Sequence, residues 1–126
     1  MGTFTVEIEV GDSLGSQFET VEALVDTGAT YTMIPASVLN RLGVVPVAQM
    51  NFILADGQRI ERDVGEASLR ILGSSFHSPI VFANEDSNVL LGAVTLQIFG
   101  LGVDSLNERL IRVDGLLVSP ILVQDE

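Results

Sequence analysis

The chain has 126 residues and a mass of 13.5 kDa, which fits one domain and leaves no room within it for a second core of ordinary size. Apolar residues make up 47% and charged residues 18%, a balance opposite to that of a disordered chain. Acidic residues number 17 against 6 arginines and no lysine, for a net charge of -11, so a nucleic acid or an anionic membrane would meet no basic footprint here.

In chain order, Thr3 to Val10 alternates, with Phe4, Val6, Ile8 and Val10 on one side, and predicts a half-buried strand. Gly11 to Gly15 is a turn cluster, and Gln17 to Val25 returns as the second strand of a hairpin. After Asp26-Thr27-Gly28-Ala29, a short β-favouring run covers Thr30 to Ile34. Pro35 is then expected at a first helical position, and Val38, Leu39 and Leu42 are spaced for one helix face, with Gly43 as the stop. Phe52 to Ala55, Asp56-Gly57 and Gln58 onward predict strand, two-residue turn and strand, because Asp-Gly supplies the positive φ angles of such a turn. The return strand is expected to run on through Val64 to Leu72, with a bulge at Gly65. Ser75 to Phe82 and Val89 to Leu91 are further strands, while Ala93 to Phe99 suits helix or strand equally by periodicity. Leu101 to Ser105 and Arg109 to Val113 form a last hairpin. Many short strands and one or two short helices predict an all-β fold, a small closed or partly open barrel or a sandwich.

Absence of cysteine removes thiolate catalysis, disulfides and zinc-thiolate sites. Neither a metal nor a cofactor is expected: the glycines at 92, 100 and 102 lack a phosphate-loop partner, and Asn84, Glu85, Asp86 and Asn88 do not fit a calcium loop. Met1 to Val10 lacks the basic start and apolar run of a signal peptide, and no segment approaches the ~20 apolar residues that span a bilayer. The expectation is a cytoplasmic protein without a membrane partner.

One segment calls for a chemical explanation. In Ala23-Leu24-Val25-Asp26-Thr27-Gly28-Ala29 an ionisable group follows three apolar residues, where burial is expected, and a buried carboxylate is expensive unless it is hydrogen-bonded. Thr27 offers a hydroxyl, and Gly28 lets backbone N–H approach the carboxylate without a Cβ in the way. The tripeptide alone is equally ordinary turn composition. His77, the one histidine, has no Gly-x-Ser-x-Gly nucleophile motif to serve.

Leu24-Val25-Asp26-Thr27-Gly28-Ala29 resembles the signature of the retropepsin-like aspartic proteases: two apolar residues, Asp, Thr or Ser, Gly, and a small residue. Val89-Leu90-Leu91-Gly92-Ala93 resembles the family's second element, and the hairpin around Ala55, Asp56, Gly57 and Gln58 lies between the two, where the family has its flap. The resemblance spans Thr3 to Val113. It departs from the viral members at Ala93, where they often carry arginine, and Asp-Thr-Gly-Ala with a helix soon after suits the cellular and bacterial single-domain members better.

The resemblance implies a retropepsin-type barrel and an aspartic endopeptidase acting on polypeptides. Asp26 would be the catalytic carboxylate, with Thr27, Gly28 and Ala29 supporting it, Leu90, Leu91 and Gly92 as the second motif, and the 55–58 hairpin closing over substrate. Hydrolysis without a metal or a covalent nucleophile needs one group to take a proton from water and another to give one, and only one Asp-[Thr/Ser]-Gly is present, so the second aspartate must come from another copy across a two-fold axis. A homodimer is expected. The alternative is a catalytically silent, protease-like dimer that binds peptides or serves as a scaffold. Residues 1–113 would form the domain, and the apolar 114–126 tail would pack on it or on the dimer interface.

Overall fold

The computed structural model describes residues 3–117. Its strands are β1 (Phe4–Gly11), β2 (Phe18–Val25), β3 (Thr32–Pro35), β4 (Ala48–Ile53), β5 (Arg59–Ile71), β6 (Ser74–Ala83), β7 (Val89–Leu91), β8 (Leu101–Asp104) and β9 (Arg109–Arg112); its helices are α1 (Ala36–Arg41) and α2 (Ala93–Ile98). The strand order β1-β2-β7-β3-β6-β5 closes on itself through a β1–β5 pairing, giving a six-stranded barrel. β4 adds to the outer part of β5, and β8–β9 form a separate hairpin. The fold is all-β and the barrel is closed, which removes the edges of the six barrel strands, while β4 keeps one edge at the end of the sheet.

Alternation fills the barrel. Ile8 and Val10 of β1, Ala23 and Val25 of β2, and Leu69 and Ile71 of β5 are buried, while Phe4 and Val6 pack against that core from its margin. Each fully buried Ile or Leu contributes about 1.5–3 kcal/mol relative to exposure. α2 resolves the ambiguous 93–99 segment as helix, with Leu96 and Phe99 turned into the core. α1 ends as its sequence predicts: Gly43 adopts φ +76°, its N–H reaches the Asn40 carbonyl at 3.0 Å, and the Val44 N–H reaches that of Leu39 at 2.9 Å.

Several local expectations are corrected. Pro35 is the N-cap of α1 and the last residue of β3, with ψ 138°, so its ring closes the strand one position before the helix starts. The strand before α1 begins at Thr32, not Thr30, because the Thr30 carbonyl is taken by the Val94 N–H. The Asp56-Gly57 hairpin does not use a two-residue turn. Ile53 pairs with Arg59, Leu54 N–H meets the Gln58 carbonyl at 2.8 Å, and of the loop residues only Gly57 has positive φ, a three-residue loop of the type I plus left-handed kind. The tight turn with two positive φ angles lies instead at Leu72-Gly73, joining β5 to β6. No bulge occurs at Gly65: register with β6 is unbroken from Val64 to Ile71. A Cβ there would stand 2.9 Å from the Val45 carbonyl oxygen, so this glycine serves close backbone approach.

Asn84 to Asn88 has a structural task of its own. Glu85 Oε2 accepts the Ser37 N–H at 2.9 Å, covering a free donor in the first turn of α1, and no metal-ligating cluster is found among the described residues. No helix among them is long and apolar enough to cross a membrane. Leu116 and Leu117 are each 97% exposed in the protomer, and the rest of the apolar tail, from residue 118, lies outside the described residues.

Candidate active site

Asp26 follows β2 directly and opens a tight turn closed by the Ala29 N–H on the Asp26 carbonyl at 3.1 Å. Its carboxylate accepts the Gly28 N–H at Oδ1, 2.9 Å away. A Cβ on Gly28 would stand 3.2 Å from that oxygen, so the glycine leaves the carboxylate room as well as a donor. The expectation of burial is corrected. Asp26 is half-buried and Thr27 and Gly28 are exposed, because the turn leaves the barrel at its rim.

The second motif holds this turn in place. β2 and β7 run parallel with Val25 opposite Leu91, and the Asp26 N–H donates to the Leu91 carbonyl at 3.1 Å. Gly92 then brings the chain against Tyr31; a Cβ on it would lie 2.6 Å from the Tyr31 carbonyl carbon and oxygen, a clash with backbone that cannot swing away. The first N–H groups of α2 are used on the far side of the same turn: Ala93 N–H reaches the Ala29 carbonyl at 2.8 Å and Val94 N–H that of Thr30 at 2.9 Å. Ala93 is thus a helix start whose backbone does the holding.

Beneath the turn lies a buried hydroxyl cluster that sequence reading did not single out. Thr32 Oγ1 accepts the Gly92 N–H at 3.0 Å and lies 2.6 Å from Thr95 Oγ1, which is 2.8 Å from Ser78 Oγ. All three side chains are fully buried and every buried side-chain polar atom among the described residues has a partner. The signal available in the sequence was a hydroxyl residue at inward positions of two alternating strands, Thr32 before Ile34 and Ser78 before Ile80.

A cleft of about 770 Å³ opens above the turn, between it and the β4–β5 hairpin. Its floor includes Asp26, Gly28, Ala29 and Thr30, and its roof Asn51 to Ala55 together with Ile60 and Arg62. Tyr31 and Phe52 meet across it edge to face, ring centroids 5.9 Å apart, a contact worth about 0.5–1.5 kcal/mol that leans the hairpin over the floor. Of the hairpin residues singled out from sequence, Ala55 lines the cleft; Asp56, Gly57 and Gln58 form the loop end and do not. The lining comes instead from β4 and the start of β5, a consequence of the longer loop and earlier strand. Leu90 and Leu91 lie behind the turn, in β7, and support it through backbone. A second hollow, about 300 Å³, runs on the other side of the turn along Phe4, Val25, Thr27 and Val103.

The carboxylate thus stands on a turn beneath a hairpin that roofs a cleft of mixed apolar and polar lining. Residues 6–95, from β1 to α2, match the family described as aspartyl protease. The chain belongs to that family. Its fold is similar to the solution structure of simian foamy virus (mac) protease, at 20% identity and a TM-score of 0.55, covering 76% of this chain and 94% of that one. It is likewise similar to EIAV protease complexed with an inhibitor, at 18% identity and a TM-score of 0.57, covering 79% and 89%. The barrel is therefore of the retropepsin type. A retropepsin-like aspartic protease from Rickettsia conorii is also similar, at 19% identity and a TM-score of 0.49 over 82% of this chain and 88% of that one. Comparison with curated proteins gives no match. The matched residues include both motifs, the hairpin and the hydroxyl cluster.

Proposed function

We propose that this aspartyl protease family member is an endopeptidase active as a homodimer, with Asp26 of each protomer as the catalytic carboxylate. The observation that carries the reading is the placement of Asp26: half-buried at the floor of the cleft, oriented by the Gly28 N–H, on a turn pinned by Leu91 and Gly92. One Asp-Thr-Gly carboxylate per chain is half of what peptide hydrolysis by a carboxylate pair requires, and the exposed Thr27 and Gly28 leave the turn open to a second copy. Two carboxylates about 3 Å apart hold one proton between them, as paired aspartates of such proteases do. The ionised member takes a proton from water as the water adds to the scissile carbonyl. The protonated member gives its proton to the carbonyl oxygen; as the C–N bond breaks it takes a hydroxyl proton back from the tetrahedral centre, and the other member passes the proton taken from water to the leaving amine. The free strand edge of β4 suits an extended peptide bound by main-chain hydrogen bonds, and the hairpin must lift for entry and release.

The test is cleavage of an unbiased peptide library between pH 4 and 7 by the wild type and by Asp26→Asn, with sedimentation to report the oligomer. Cleavage by the wild type and a loss on the order of 10²–10⁴-fold in the variant are expected. Activity surviving the substitution would falsify the aspartic mechanism. A dimer that binds peptides without cutting them would point to a silent binding module instead.

A further inference from the structure

Arg62 occupies an inward position on a strand where an apolar side chain is the rule. In Arg59-Ile60-Glu61-Arg62-Asp63-Val64 the alternation of β5 puts Ile60, Arg62 and Val64 on one face and Arg59, Glu61 and Asp63 on the other. Ile60 and Arg62 line the cleft and Val64 is buried below it. Among the described residues the ion pairs engage Arg41, Arg70 and Arg109, and Arg62 joins none of them. Its guanidinium makes one hydrogen bond, from Nη1 to the carbonyl of the adjacent Glu61 at 3.1 Å. A guanidinium has five N–H donors in a planar fork and does not shed its charge, so with one bond made Arg62 keeps donors for a planar acceptor in the cleft. Asp26 is the one carboxylate among the residues lining the cleft, and Arg62 the one cation.

We propose that Arg62 is a specificity-determining residue that receives the carboxylate of one acidic side chain in an extended peptide whose neighbouring side chains are apolar. The proposal rests on the reading of the cleft as a peptide site. The apolar flanks match Tyr31, Met33, Phe52, Ile60 and Val81 of the cleft wall. A single acidic residue fits better than several, because the chain as a whole carries -11 and Arg62 is the one cation lining the cleft. The carboxylate forms paired N–H···O bonds with the guanidinium fork, which a glutamine side chain cannot reproduce.

The experiment uses C-terminally amidated, fluorescein-labelled octapeptides of Phe, Leu, Ile and Ala with one Glu moved through each position, and a matched Gln set. Binding by anisotropy is measured on the full chain carrying Asp26→Asn, alone and combined with Arg62→Gln, Arg62→Lys or Arg62→Glu, each checked for fold by circular dichroism. Glu at one position is expected to bind about tenfold tighter than Gln. Arg62→Gln should remove that difference, Arg62→Lys should keep part of it, and Arg62→Glu should favour a Lys peptide. Equal binding of Glu and Gln peptides at every position, a preference that survives Arg62→Gln, no binding of any peptide, or a preference reproduced by a free C-terminus on the Gln peptides overturns the proposal. Wild-type cleavage of both sets without Glu preference overturns it while leaving the protease reading intact. A Glu preference in binding that depends on Arg62, with no cleavage by the wild type, does the reverse.

Discussion

The backbone N–H of Asp26 donates to the carbonyl of Leu91 at 3.1 Å, so two motifs 65 residues apart in sequence meet at a single hydrogen bond. The parallel pairing of β2 with β7 sets it up, and Gly92 immediately afterwards lets the chain pass against Tyr31. The carboxylate is thus aimed by a neighbouring strand and by the start of α2, not by its own turn alone.

Gly92→Ala tests that closeness. A methyl 2.6 Å from the Tyr31 carbonyl must push backbone aside, at a cost of about 1–3 kcal/mol. The expected result is a lower melting temperature together with loss of peptide cleavage, whereas Gly115→Ala, which meets nothing within 4 Å, should leave both unchanged.

The hydroxyl cluster predicts non-additive effects. Thr32→Val removes the acceptor of the buried Gly92 N–H and a partner of Thr95, and should cost about 1–3 kcal/mol in denaturant unfolding. Thr95→Val should also destabilise, and the double variant should lose less than the sum of the two because they share one hydrogen bond. Strict additivity would mean that the three hydroxyls do not act as a network.

Acid should loosen the β1–β2 turn before the barrel. The Ser16 hydroxyl at 2.6 Å from Asp12 Oδ2, followed by the Gln17 and Ser16 N–H groups on Oδ1, holds the Asp12 carboxyl below its ordinary 3.8. A carboxyl lowered in the folded state contributes stability that is present above the unfolded value and is lost as pH falls through the folded one. Asp12→Asn should therefore lower the melting temperature at pH 7, and the gap to wild type should narrow as pH falls below the ordinary 3.8. A gap independent of pH would show that charge is not what the turn uses.

Assembly should respond to charge. Two protomers of -11 each repel at neutral pH, so the proposed dimer should tighten with added salt and on mild acidification towards pH 5, where carboxylates begin to take protons. Sedimentation velocity against salt and pH reads this directly, and a dissociation constant that weakens with salt would show that ion pairs, not repulsion, govern the interface.

Much of the fold was legible because alternation and turn chemistry are local. Phe4 to Val10 alternates as a strand whose Ile8 and Val10 are buried, Gly43 stops α1 at the expected place, and Asp26-Thr27-Gly28 marks the central turn of the site. Local rules misread Asp56-Gly57, because a two-residue turn and a three-residue loop with glycine at its left-handed position share the same residues and differ only in strand register. Gly65 was misread for a related reason: a strand glycine looks the same whether it forms a bulge or makes way for another backbone, here that of Val45.

By itself the sequence determined a small acidic all-β domain with a single Asp-Thr-Gly among its 126 residues. Those conclusions depend on composition, period and count, which no neighbour alters. Only the tertiary structure decided that Leu91 and Gly92 hold the Asp26 turn, that Thr32, Ser78 and Thr95 satisfy one another beneath it, and that Arg62 lines the cleft without joining an ion pair among the described residues. Each is a contact between strands or helices distant in the chain, and closure of the barrel sets which residues face one another there.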